Sequence, residues 1–129
     1  MTAVLEAPTE LICTPAHMHV PERAGSYVRA VEAVAGHIGR TMNATQRYAV
    51  DVLTSATADG TPATLSAAVI CPRQNLKTFV LELITLTRLL RPGGDRLAVW
   101  SAHEVSTATE TFQAFAELAE AEDARGRPV

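Results

Sequence analysis

The stretch Ala68-Val69-Ile70-Cys71-Pro72-Arg73-Gln74-Asn75-Leu76-Lys77-Thr78-Phe79 decides how this chain is read. It joins a short apolar run to a long helix-prone segment. From Cys71 onward it has the spacing of a phosphate-binding loop, G-x-x-x-x-G-K-[ST], with Cys71 and Leu76 where the two glycines would stand. Lys77 and Thr78 are in register, an ammonium for terminal phosphates and a hydroxyl for Mg²⁺. A strand before the loop and a helix after it would bring backbone N–H groups and the positive helix end to the same place. Leucine resists positive φ, so such a loop must stay in the right-handed regions. A plainer reading stands beside this one: Lys-Thr at a helix start is also a common solvated pair. Arg73 likewise is either a phosphate contact or an exposed loop cation, the second being the commoner case.

Working outward, residues 76–91 give the strongest helix signal. Leu76, Phe79, Val80, Leu83, Ile84, Leu86 and Leu90 cover more than one face, which predicts packing on at least two sides. Pro92-Gly93-Gly94-Asp95 stops this helix. Residues 64–70 before the loop, and 96–101 after the helix, are short apolar runs bounded by turn signals and read as strands. Ahead of them, Val28, Val31, Val34, Ala35 and Ile38 share one face of a predicted helix over 26–39. A second helix starts near Asn43, where Asn43 and Gln46 have capping-box spacing, and ends by Ala56. Ala58-Asp59-Gly60-Thr61-Pro62 reads as a turn. Thr107 and Glu110 have the spacing of another capping box, opening a helix to about Ala121.

The expected class is α/β: two helices, then a βαβ unit with parallel strands and a right-handed crossover. Two strands are too few for a finished doubly wound sheet, so the chain reads as the start of a partial P-loop NTPase domain. Residues 1–20 carry Pro8 and Pro15 and read as an extended arm, 21–122 as the partial domain, and 123–129 as a flexible tail.

Composition narrows the function classes. The chain has 129 residues, 47% of them hydrophobic, enough to bury a core of one domain. Net charge is −3 and no basic block occurs, which argues against a free-standing nucleic-acid binder. Cys13 and Cys71 lie far apart and form no metal spacing, so both are expected as reduced thiols. His17 and His19 have no third ligand nearby. The longest strongly apolar stretch, 79–90, falls short of the roughly 20 residues that span a bilayer. With no basic region leading an apolar core at the N-terminus, the expectation is a cytoplasmic protein without a membrane partner. His103-Glu104 as an acid–base pair and Ser101 with His103 as a hydrolase pair are weak readings, because adjacent loop residues rarely converge and no elbow surrounds the serine.

At this point the chain resembles a family. AVICPRQNLKTF, 68–79, is similar to the deviant phosphate loop of the large terminase subunit of tailed bacteriophages, which often carries a PRQ-type sequence. RLAVWSAHEVSTATETF, 96–112, resembles the strand–loop–helix that follows in that family. Asn43-Ala44-Thr45-Gln46-Arg47 stands where the family has a helix-start glutamine that resembles an adenine-reading motif. The three blocks keep family order over about residues 40–115.

The resemblance implies ATP and Mg²⁺ as cofactors. Lys77 would contact the terminal phosphates and Thr78 the metal. Arg73, Gln74, Asn75 and Leu76 would line the loop, and Gln46 would read adenine. Leu76 departs from the glycine that many members keep before the lysine. In the family the partners are DNA, the portal protein and the small terminase subunit, and the setting is the host-cell cytoplasm. Neither the Walker B strand with its adjacent acids nor the carboxylate cluster of the nuclease has a counterpart in this sequence. The expectation is therefore an ATP-binding N-terminal portion of a DNA-packaging motor, not catalytic by itself. The alternative is a non-enzymatic α/β interaction protein, or a decayed prophage remnant, associating through an exposed sheet edge.

Overall fold

The computed structural model describes residues 15–71, 77–94 and 97–120. It is a mixed α/β chain, mostly helical, with one small antiparallel sheet. Strand β1 (Gly25–Ser26) leads into helix α1 (Val28–His37). Helix α2 (Ala44–Leu53) is followed at once by β2 (Ser55–Ala56). Helix α3 (Lys77–Leu90) and helix α4 (Val105–Glu120) complete the order. β1 and β2 pair with Gly25 opposite Ala56 and Ser26 opposite Ser55.

The core forms where α1, α2 and α3 meet. Val28, Val31 and Ala35 of α1, Val50 of α2, and Val80 and Leu83 of α3 are its buried residues. Ile38, Met42, Leu53, Phe79 and Ile84 pack around them. The valines recur at helical spacing, which gives α1 and α3 the apolar faces predicted for them. Val20, only 2% exposed, shows that the arm is anchored before the first strand. Residues 15–20 of the arm carry no helix or strand, whereas residues 1–14 lie outside the described residues.

Local chemistry sets several boundaries as the sequence predicts. At α2, Asn43 Oδ1 accepts the Gln46 N–H at 2.9 Å and Gln46 Oε1 accepts the Asn43 N–H at 3.0 Å, a complete capping box. The turn around Gly60 has φ of 81°, a region open to glycine, and Thr57 and Thr61 close it with a backbone bond of 2.9 Å. Helix α3 stops at Gly93, φ 70°, where the Gly94 N–H bonds the Arg91 carbonyl.

Two expectations are corrected. Residues 64–70 and 97–101 form no strand, so the described residues show no βαβ unit. Leu65 and Ile70 are 109% and 98% exposed, and Leu97 and Val99 are 77% and 85% exposed. A strand is defined by hydrogen bonds to a neighbour, and among the described residues these runs find none. The capping box at Thr107 does not form either. Helix α4 begins two residues earlier, at Val105, with the Ala108 N–H bonding the Glu104 carbonyl at 3.2 Å. Thr107 lies inside the helix, where its carbonyl accepts the Thr111 hydroxyl. Helix α4 packs on α3 without any fully buried residue, and Phe112 stays 64% exposed.

Candidate functional site

Lys77 and Thr78 are the first two residues of α3. The first N–H groups of a helix have no intrahelical partner, and the aligned peptide dipoles place partial positive charge there. The Lys77 ammonium adds a full charge to that end. It reaches back over six residues to donate to the Cys71 carbonyl at 2.9 Å. The start of α3 is thereby tied to the last residue of the extended run, across the segment 72–76. Thr78 is exposed beside it. Arg73, Gln74, Asn75 and Leu76 lie outside the described residues.

A cleft of about 230 Å³ lies between Cys71 and α2, and neither Lys77 nor Thr78 is among its described lining residues. Val69, Ile70 and Cys71 form one wall, and Thr45, Tyr48, Ala49 and Val52 of α2 form another. The arm closes the third side with His17, Met18 and His19. The walls are mainly apolar, with polar groups from Tyr48, Thr45 and the histidines, and no carboxylate is among its described lining residues. The Tyr48 hydroxyl donates to Met18 Sδ, which holds the arm against α2. Burial raises the Tyr48 phenol above its usual value, opposed by the charge of Arg23 and assisted by that of Asp51.

Gln46 sits beside this cleft rather than among its described lining residues. Its side-chain oxygen is held by the capping box, while Thr45 and Tyr48 on either side of it face the cleft. The helix start that the sequence singled out at Gln46 therefore lies beside the cleft, with Thr45 and Tyr48 rather than Gln46 lining it. The histidines and Tyr48 carry no sequence signal for this placement, because the arm's path over α2 is a tertiary feature.

Below the cleft, the arm is locked by a polar cluster. Arg23 Nη2 bonds Asp51 Oδ2 at 2.8 Å, and Arg23 Nη1 bonds the Asp51 carbonyl at 2.8 Å. The Ser26 hydroxyl donates to the other Asp51 oxygen. Burial opposes the Asp51 charge, but the bonds from Arg23 and Ser26 outweigh it and hold the carboxyl below its usual range.

Elsewhere the candidate chemistry is thin. His103 Nε2 and Glu104 Oε1 stand 4.0 Å apart with both side chains largely exposed. Glu117 and Glu120 lie exposed on α4. The described residues contain no group of three or more His, Cys, Asp or Glu that could hold a metal ion, and no helix long and apolar enough to cross a membrane. Compared with protein-family models, with curated proteins and with solved structures, the chain matches none.

Proposed function

We propose that the chain binds MgATP at the start of α3, as the ATP-binding portion of a phage-type large terminase, a partial P-loop NTPase. The observation that carries this reading is the Lys77 contact. An ammonium at the start of α3, donating to the Cys71 carbonyl, is poised to exchange that carbonyl for a phosphate oxygen. The Thr78 hydroxyl, exposed at the next position, fits a Mg²⁺ ligand of the kind a phosphate loop supplies. The apolar cleft lined by Tyr48 and Met18 has the character of a base pocket, a concave, mostly apolar wall with few polar groups. Gln46, Arg73, Gln74, Asn75 and Leu76 enter through the sequence resemblance alone. The reading is one of binding: no described carboxylate lines the cleft to activate water. Partnership with DNA, portal protein and small terminase subunit, and a cytoplasmic setting, belong to the same proposal. Calorimetric titration of MgATP into the chain and into Lys77→Ala tests it. Saturable heat that the variant loses is the expected result; equal heats for both overturn the reading.

A second reading rests on Leu65, Ile70, Leu97 and Val99, large apolar side chains left mostly exposed in two runs outside the helices. Such runs invite strand pairing with another chain, as an interaction protein would use them. Light scattering discriminates: self-association that charged substitutions at Ile70 and Val99 abolish favours it, and a monomer at high concentration counts against self-pairing.

A further inference from the structure

Glu82 lies on the buried side of α3 and is 6% exposed. Its Oε1 is sealed from solvent and has no hydrogen-bond partner among the described residues. A buried carboxylate oxygen without a partner is costly, and groups of this kind persist where a proton, a water or a cation completes them. Glu82 lines a cavity of about 280 Å³ between the end of α1, α3 and α4. Arg40 beyond α1 and Glu117 of α4 supply its other charges. Phe79, Ile38 and Leu118 supply its apolar wall.

The chemistry of this cavity selects among cations. A Ca²⁺ ion takes six to eight oxygens and a structural Zn²⁺ four ligands. Here two carboxylates and one guanidinium line the cavity, and the described residues hold no group of three or more metal-ligating side chains. An organic cation is better served. Its charged head would pair with Glu82 and Glu117, its carbon stem would lie along Ile38 and Leu118, and the Phe79 ring would add cation–π attraction. The geometry points to a binding site for an alkylammonium or alkylguanidinium group, with Glu82 as its main anion. This site is separate from the α3 start and stands independently of the nucleotide reading. Arg40 shares the cavity and competes with the ligand for the same carboxylates.

The test uses n-butylammonium chloride as probe, followed by amide chemical shifts at constant ionic strength with NaCl as reference. Saturable shifts at the end of α1, in α3 and in α4 are expected, with binding at least tenfold weaker in Glu82→Gln. Arg40→Gln is expected to tighten binding several-fold by removing the competitor. If Glu82→Gln fails to fold, Glu117→Gln with weakened binding serves in its place. Shifts that NaCl reproduces, that never saturate, or that survive unchanged in Glu82→Gln overturn the inference. So does weaker binding in Arg40→Gln, which would make Arg40 part of the structure around Glu82 rather than a competitor. The amide of Nα-acetyl-lysine separates the two sources of this chemistry. Binding as tight as butylammonium marks the side chain of a protein partner, and exclusion of it while butylammonium binds marks a small free amine.

Discussion

The Lys77 ammonium and the Cys71 carbonyl meet at 2.9 Å across the segment 72–76, whose sequence departs from the glycine-rich pattern. The contact joins the start of α3 to the wall of the cleft, since Cys71 lines it. It also puts the half-buried Cys71, a free cysteine, at the point where the cleft and the helix start converge.

That convergence makes Cys71 a reporter. In a Cys13→Ser background, MgATP is expected to slow alkylation of Cys71 by iodoacetamide several-fold. ADP without Mg²⁺ should protect less. Alkylation rates followed by mass spectrometry check this, and identical rates with and without nucleotide would sink the placement of nucleotide in the cleft.

Gln46 has two roles to separate. The capping box predicts that Asn43→Ala lowers stability by about 1 kcal/mol and Gln46→Ala by less, since only the Asn43 side chain satisfies a helical N–H. Denaturant unfolding measures both. If Gln46→Ala also weakens MgATP binding tenfold or more while Asn43→Ala does not, Gln46 reads the base as well as capping α2.

The Asp51 cluster predicts a pH signature. Its folded value lies below the unfolded one, near 3.8, so its stabilisation is present above that value and is lost as pH falls through the folded value. Asp51→Asn is expected to cost about 2 kcal/mol at pH 7, the scale of a charge-assisted hydrogen bond. The gap from the wild type should close below pH 4 in urea titrations. A gap that is constant with pH would show that the Asp51 charge is not what Arg23 holds.

Glu82 runs the other way. Burial raises its folded value above the unfolded 4.5, opposed by the Arg40 charge. Below 4.5 it is protonated in both states and costs nothing. As pH rises through the folded value, its ionisation penalises the fold. Glu82→Gln is therefore expected to gain on the order of 1–2 kcal/mol at pH 8, with the gain vanishing toward pH 4. A loss at pH 8 would refute it.

Gly94 marks a steric limit. A Cβ there would stand 2.1 Å from the Arg88 carbonyl oxygen, which is backbone and cannot swing aside. Gly94→Ala is expected to lower the thermal midpoint by several degrees, read by circular dichroism, with the C-terminal turn of α3 unwinding first.

The helices were legible because their information is local. The apolar repeats of α1 and α3, the Asn43–Gln46 spacing and the Gly93 stop each act over one or two turns, and the structure places those elements within a few residues of expectation. Helix α4 was legible as an element but not in its start, since the backbone at Glu104 begins the helix before the Thr107 hydroxyl can cap it. The sheet was not legible. β1 and β2 are two residues each and carry no period, whereas the apolar runs that do carry a strand signal are unpaired among the described residues.

By itself the sequence determined where helices α1 to α4 form, to within a few residues. Tertiary structure alone decided which residues pair as strands, how the arm brings Met18 onto Tyr48, and that Glu82 ends buried beside Arg40 and Glu117 with one oxygen unpartnered among the described residues. The reason is range. Helical hydrogen bonds join residues four apart and are written in the local pattern. Strand pairing, cleft walls and buried charge depend on which distant groups arrive opposite one another.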